Sequence, residues 1–311
     1  METIEKLFSF INDNAQKIEK EQELSYLDSV LEVLNAWLDG DNVPAGKVAS
    51  KEDIRKAIQL AILKGMRENA QPNHQMTPDA LGLLVGYFVE QFMDSQEKDG
   101  AKIKLLDPAV GTGNLLLTVM NLLQDRADGV GVEIDELLIQ LAAAAADLTE
   151  QPVSLFRQDA LQNLMIDPAD AVVCDLPVGY YPNDEVAKEF ELKATEGMIY
   201  AHHLFIEQSL KYSKDGGYLF FLVPENIFES EQAQGLYKYL QKTAWIQAVI
   251  QLPSSLFSNK AHSKSLFILQ KKSADGKPVK EVLLAKVPSM TNKQALEMFF
   301  TKVQIWKKEQ K

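Results

Sequence analysis

From about residue 76 onward, short β-rich runs alternate with helical stretches, and this alternation constrains the fold more than any other feature. The runs are IKLLD (103–107), GVGVE (129–133), VSLFRQD (153–159), AVVCDLP (171–177), GYLFFLVP (217–224), WIQAVIQLP (245–253) and SLFILQKK (265–272). Helical patterns lie between most of them, including stretches near 198–213 and 229–242. Strands that alternate with helices imply an α/β fold with a mainly parallel sheet covered on both faces. The last two runs are joined by PSSLFSNKAHSK, too short for a helical crossover, and read as an antiparallel pair at the end of the sheet. EVLLAKV (281–287) reads as one more edge strand. The alanine run Ala142–Ala146 reads as a helix packed closely on the sheet.

Residues 1–70 have a different texture. Ile4, Leu7, Phe8 and Ile11 recur at helical spacing, as do Leu24, Leu27, Leu31 and Leu34. A turn containing Asp39, Gly40, Asp41, Asn42 and Pro44 follows, then a helix with Ile54, Ala57, Ile58, Ala61 and Ile62 on one face. Asn69–Asn73, with Pro72, reads as a linker. The division expected is a helical domain over 1–70 and a sheet domain over 71–311.

Apolar residues make up 46% of the 311, enough for a full core, which excludes a largely disordered chain. The net charge of −12 is uneven: −4 over 1–70, −14 over 71–270 and +6 over 271–311. The acidic body argues against strong binding to a phosphate backbone by this chain alone. The single cysteine, Cys174, excludes an intramolecular disulfide and a multi-cysteine zinc site, and suits a reducing cytoplasmic setting. The opening METIEKLFSFINDN breaks the apolar core that a signal peptide needs, and no apolar run reaches the roughly 18–20 residues of a membrane span. The expectation is a cytoplasmic protein with no membrane partner.

The most informative segment is KLLDPAVGTGNLLL (104–117). A strand ends at Asp107, Gly111-Thr112-Gly113 forms a turn, and Asn114 opens a helix. Glycines at such a turn let the backbone approach a ligand closely, although a lone Gly-x-Gly also serves merely to pack a helix on a strand. Leu116 stands where a dinucleotide fingerprint has its third glycine, and no Gly-Lys-Ser/Thr follows. An acid directly before the turn repels phosphate and suits an ammonium group. Twenty residues after Gly113, the next strand ends at Glu133, placed to hold a ribose diol. Gln158-Asp159-Ala160 ends the third strand, where Asp159 can accept from an adenine amine. An ammonium, a ribose and an adenine without phosphate together describe S-adenosylmethionine.

Residues from about 74 to 272 resemble the N6-adenine DNA methyltransferases, especially the modification subunit of type I restriction systems. Met76-Thr77-Pro78 looks like the family's Thr-Pro element. Asp107-Pro108-Ala109-Val110-Gly111-Thr112-Gly113-Asn114 is close to its Asp-Pro-Ala-Cys-Gly-Thr-Gly loop. Asp215–Pro224 resembles its late strand, and Val249–Pro253 with Leu256-Phe257 its Leu-Pro-x-x-Leu-Phe hairpin. The resemblance implies a class I methyltransferase: a doubly wound, mainly parallel seven-stranded sheet with one antiparallel strand, preceded by a small helical domain. It implies S-adenosylmethionine as cofactor, held by Met76, Thr77, Asp107, Pro108, Ala109, Gly111, Thr112, Gly113, Asn114, Leu115, Glu133, Ile134, Asp135, Gln158, Asp159, Ala160 and Asp175.

Asp175-Leu176-Pro177-Val178 stands where the family has Asn or Asp, Pro, Pro, and Tyr or Phe. The family's chemistry explains its pattern. An aromatic exocyclic amine is a poor nucleophile until acceptors on its N–H groups free its lone pair. Here the acceptors would be the Asp175 carboxylate and the Leu176 carbonyl. Leu176 lacks proline's fixed φ, and Val178 lacks the ring that stacks on a flipped base, which Tyr180 or Tyr181 would have to replace. The activity expected is transfer of a methyl group to adenine N6 in DNA. The alternatives are methylation of RNA or of a protein amide, or a non-catalytic S-adenosylmethionine-binding scaffold. The expected partners are DNA and a separate specificity subunit, with 1–70 as the place for a partner or homodimer contact. No metal is expected: Cys174 reads as a buried small hydrophobe and His202-His203 as helix residues without ligand spacing. Asp184, Glu185 and Glu189 would repel DNA if they lined a cleft.

Overall fold

The computed structural model describes residues 2–45, 49–68, 76–93, 101–194, 197–257 and 263–310. The linker expected over Asn69–Asn73 lies outside the described residues. In chain order the helices before the first strand are α1 (Glu2–Gln22), α2 (Tyr26–Leu38), α3 (Lys51–Glu68) and α4 (Asp79–Met93). Next come β1 (Ile103–Asp107), α5 (Asn114–Leu123), β2 (Ala127–Glu133), α6 (Glu136–Leu148), β3 (Val153–Arg157) and β4 (Ala169–Asp175). The remainder is α7 (Asp184–Ala187), α8 (Ala201–Lys211), β5 (Ser213–Pro224), α9 (Ala233–Thr243), β6 (Ala244–Gln251), β7 (Lys264–Lys271), β8 (Leu283–Lys286) and α10 (Lys293–Gln310).

The strand order is β3-β2-β1-β4-β5-β7-β6-β8. The expected antiparallel pair forms between β6 and β7, but it does not sit at the sheet end. β7 runs between β5 and β6 and is antiparallel to both, and β8 pairs parallel with β6 outside them. The EVLLAKV run therefore adds an eighth strand to the seven expected from the resemblance, with β7 the one antiparallel member. Among the described residues, no helix is long and apolar enough to cross a membrane.

The chain divides into two compact units. The first is Met1–Gly86 with Val110–Asp159. Its core joins the apolar faces read from the sequence: Leu7 and Ile11 of α1, Leu27, Leu31 and Leu34 of α2, and Ala57, Ile58, Ala61 and Ile62 of α3. Leu117, Leu141 and Ala144–Ala146 belong to the same cluster. The alanine run of α6 thus belongs to a helix that packs against α2 and α3 and not only on the sheet, because small side chains let helices approach closely. Side chains fix where the helices start. The Ser25 hydroxyl accepts from Asp28 N–H ahead of α2, and the Ser50 hydroxyl from Asp53 N–H ahead of α3.

The second unit is Tyr87–Ala109 with Ala160–Lys311. In it β1, β4 and β5 pair parallel, and β7 follows. Central β4 is apolar from Ala171 to Cys174 because it is covered on both faces. On α8, His202 and His203 are buried among Leu204, Phe205 and Ile206. Burial pushes His202 down to about 3, assisted by the charge of His203, and pushes His203 down to about 4.

Two outcomes follow from this packing. The unfolded chain takes up protons at both histidines near pH 6.5, whereas the folded chain resists until about 4 or below. Their contribution is complete above about pH 6.5 and is lost as pH falls toward 4, by at most about 1.4 kcal/mol per pH unit for each histidine. Urea unfolding at pH 7 and pH 4.5 should show a smaller loss for His203→Asn than for the parent chain; equal losses would contradict the burial of a neutral imidazole. Burial, with the nearby Asp107 and Asp175 charges, also pushes the Cys174 thiol well above its usual value. A thiol reagent such as 5,5′-dithiobis(2-nitrobenzoate) should therefore label Cys174 only after denaturation, and rapid labelling of folded protein would refute the assignment.

Candidate active site

In the first unit the glycine turn is built by its own backbone. Val110 N–H donates to Val132 O (2.9 Å), which ties the turn to the end of β2, and Gly113 N–H donates to Val110 O (2.8 Å). Gly111 (φ 55°) and Gly113 (φ 82°) are both left-handed, the region L side chains disfavour. The two glycines face different surroundings. A Cβ on Gly113 would meet the Ala142 Cβ at 3.3 Å, so that glycine lets the turn close onto α6. A Cβ on Gly111 would meet nothing within 4 Å, so its side of the turn is open to a ligand.

Glu133 closes this turn. Its Oε2 accepts from Gly111 N–H, and its Oε1 accepts from Ile134 and Asp135 N–H, each at 2.9 Å. A carboxylate has about four acceptor sites, so three backbone donors leave capacity for about one hydroxyl without displacement. Gln158 N–H donates to Glu133 O (2.9 Å), which brings the end of β3, with half-buried Asp159, beside the end of β2. Ile134 is 64% exposed next to Glu133, an apolar surface beside the carboxylate. Asp135 Oδ1 accepts from Leu138 N–H and caps α6. Thr112 in the turn and Leu115 on α5 are buried, and Ala160, which opens a segment of the second unit, is buried too.

Met76 and Thr77 precede α4. The Thr77 carbonyl accepts from Asn114 Nδ2 (2.7 Å), and Asn114 is the first residue of α5. The structure thus joins the Thr-Pro element to the exit of the glycine turn.

In the second unit, Asp107 is buried at the end of β1, followed by buried Pro108. Its Oδ1 accepts from Ala109 N–H (3.1 Å). Asp175 ends β4 with its side chain 19% exposed. Leu176 is buried, and its N–H donates to Leu222 O (3.1 Å), so the Asp175–Leu176 peptide is anchored to β5. Val178 is exposed beyond Pro177. Tyr181 is buried and its N–H donates to Ile199 O (2.9 Å), so it offers no exposed ring. Tyr180 is 48% exposed and stacks on Tyr200 with centroids 4.8 Å apart and planes 14° apart. Tyr200 stacks in turn on His202 at 5.1 Å.

The residue that sequence reasoning missed here is Lys264. Its ammonium forms an ion pair and hydrogen bond with Asp175 Oδ1, and its side chain is only 15% exposed. The sheet explains the meeting. β7 is antiparallel to β5, so its first residue lies at the carboxyl ends of β4 and β5, with Lys264 opposite Pro224 and Asp175 opposite Leu222. The available signal was a lysine opening an otherwise apolar strand.

These features fit S-adenosylmethionine. The turn is open at Gly111, an acid and an exposed apolar residue stand at the end of β2, and a second acid stands at the end of β3. The donors are backbone N–H groups and the acceptors carboxylates. That suits a ligand with hydroxyls, an amine and a positive charge. Comparison with known proteins agrees. The sequence pattern of the N-6 DNA methylase family matches residues 72–310, and that of the YtxK N-terminal helical domain matches 41–66. The chain is 42% identical to YtxK of Bacillus subtilis over 98% of both proteins. It is 41% identical to a Listeria monocytogenes protein assigned to the class I S-adenosylmethionine-dependent methyltransferases, with a TM-score of 0.90 over 98% of this chain and 99% of that one. The methyltransferase subunit of a type I restriction-modification system from Streptococcus thermophilus shares the fold, with a TM-score of 0.64, 17% identity, and coverage of 82% of this chain and 58% of that one. The chain belongs to the N-6 DNA methylase family, and it is a class I methyltransferase that uses S-adenosylmethionine.

Proposed function

We propose that the acceptor is the exocyclic N6 amine of adenine in DNA, and that Asp175 is the residue that activates it. The observation that carries this reading is the placement of Asp175. Its carboxylate stands at the carboxyl end of a central strand whose Ala171–Cys174 stretch is fully buried, where ligands of open α/β sheets bind. The Asp175–Leu176 peptide is held by β5 through the Leu176 N–H. Bound S-adenosylmethionine supplies a methyl group on a sulfonium sulfur. The chain's own work is to hold the amine in line with that methyl and to accept its N–H groups at Asp175 and the Leu176 carbonyl. As the nitrogen gains the methyl group it loses one proton, toward Asp175 and then water, and S-adenosylhomocysteine departs. Lys264 keeps one edge of the Asp175 carboxylate fixed, so that the side chain meets the amine in a single orientation.

Gly111–Asn114 would cradle the cofactor, with Met76, Thr77, Pro108, Ala109 and Leu115 around it. Glu133 would take the ribose, Ile134 and Asp159 the adenine, and Asp107 the ammonium end. Tyr180, backed by Tyr200, would offer the flipped base the ring that Val178 lacks, worth about 1–3 kcal/mol of stacking. A body at −14 over 71–270 needs help to hold DNA, which supports a separate specificity subunit as partner. The 1–70 helical domain is the place proposed for that contact. A second reading has one observation in its favour: Leu176 and Val178 depart from the residues that grip a base, which suits an amide or an RNA acceptor.

Tritiated S-adenosylmethionine incubated with DNA, RNA and protein from cells lacking the gene separates these readings. The expected label is N6-methyladenine in DNA, lowered about 100-fold or more by Asp175→Ala; label in RNA or protein would overturn the DNA assignment. Lys264→Met should lower kcat about 10-fold or more while cofactor affinity stays within about twofold. An unchanged kcat would remove Lys264 from the mechanism.

A further inference from the structure

We infer that Arg55, on helix α3 of the leading helical segment, is a positioning residue for the cofactor turn. The inference rests on the reading of Gly111–Asn114 as that turn. Arg55 is 3% exposed, and all five N–H donors of its guanidinium are aimed at acceptors in the first unit. Nε and Nη2 donate to the two oxygens of Glu52 (2.8 and 2.9 Å). Nη1 and Nη2 donate to the two oxygens of Asp79 (both 2.9 Å). Nη1 also donates to Asn114 Oδ1 (3.0 Å). Two forked carboxylate pairs on one guanidinium fix its plane, which lysine could not do.

That fixed plane has a consequence at Asn114. An amide side chain can be turned either way, but arginine has only donors, so the Asn114 oxygen must face Arg55. Its Nδ2 is then committed to the other side, where it donates to Thr77 O (2.7 Å) and lies 3.3 Å from Asp79 Oδ1. Arg55 thereby grips both flanks of the site at once: Asp79 at the start of α4, and Asn114 directly after left-handed Gly113. Neighbours on α3 complete the seam, since Gln59 Nε2 donates to Asp79 Oδ1 (2.8 Å) and Glu52 Oε2 accepts from Asn121 Nδ2 of α5 (3.0 Å). Glu52, Arg55 and Gln59 share one helix face by their spacing of three and four residues. The charge of Arg55 is matched by Glu52 and Asp79. Both carboxyls lie below the usual carboxylate range, since the Arg55 hydrogen bonds and charge outweigh the opposing effect of burial. Helix α3 is in this sense a wall of the cofactor site.

The test uses the full-length chain with S-adenosylmethionine itself as probe, in isothermal titration calorimetry at 15 °C, and urea unfolding measured alongside. Arg55→Lys keeps the charge and loses the fork. It should weaken binding about 10-fold or more while the protein remains folded, and Asn114→Ala should weaken it similarly. The double variant should bind no worse than the weaker single one, because the two act through the same contact. A merely structural arginine would lower the unfolding midpoint and leave the dissociation constant, measured far below that midpoint, within twofold of the parent; this result, or fully additive losses, would overturn the inference. Should Arg55→Lys fail to fold, Glu52→Gln, which loosens one fork and keeps the arginine, is held to the same standard. Glu133→Ala and Asn114→Ala separate this inference from the reading beneath it. If neither variant changes affinity, the turn is not the cofactor site. If both weaken binding and Arg55→Lys does not, only the role of Arg55 falls.

Discussion

The guanidinium of Arg55 is the interaction on which the first unit depends. A buried arginine is costly unless each of its donors finds a partner, and removal of one partner from such a pair costs several kcal/mol. Here Glu52 and Asp79 supply two forks and Asn114 a fifth hydrogen bond. The requirement runs both ways. The carboxylates need the arginine as much as it needs them, so α3, the start of α4 and the start of α5 hold one mutual arrangement. The apolar cluster of α1, α2, α3 and α6 supplies the bulk of the burial, but apolar contacts are non-directional. Hydrogen-bond geometry is what aligns Thr77 and Asn114.

In the second unit the corresponding constraint is strand direction. Parallel strands β1, β4 and β5 end on the same side, so chemistry placed at strand ends gathers there. β7 runs the other way and delivers its first residue to that side. A single reversed strand therefore brings a lysine 89 positions away in sequence to the carboxylate of Asp175. The apolar interior of β4 beneath it leaves the ion pair half-sheltered, where a charged hydrogen bond is stronger than on an open surface.

Much of this architecture was legible in the sequence because it is periodic. Alternating β-rich and helical runs gave the parallel sheet, and helical spacing gave the three leading helices and many of their buried residues, although Leu24 lies ahead of α2 and Ile4, Phe8 and Ile54 are only half-buried. The glycine turn and the acids at strand ends were readable because each is local and each has a chemical reason. What was not legible is what depends on distant partners. Arg55 sits among Lys51, Glu52, Asp53 and Lys56, and in one dimension it reads as part of a solvated charged face. Its acceptors Asp79 and Asn114 are 24 and 59 positions away. Lys264 was hidden for the same reason, and so was the insertion of β7 between β5 and β6, since short connections suggest neighbours but not which of two strands takes the outer place. Tyr180 and Tyr181 were equivalent in sequence. The pairing of 179–181 with 199–201 buries one and exposes the other.

The central claim is that the glycine turn and the acids at the ends of β2 and β3 hold the cofactor. A crystal structure of the protein with S-adenosylhomocysteine tests it most directly. The account predicts a ribose hydroxyl on Glu133, the adenine against Ile134 with its amine toward Asp159, and the chain of the ligand along Gly111–Gly113. A nucleoside bound away from Glu133, with Gly111 still open, would contradict it.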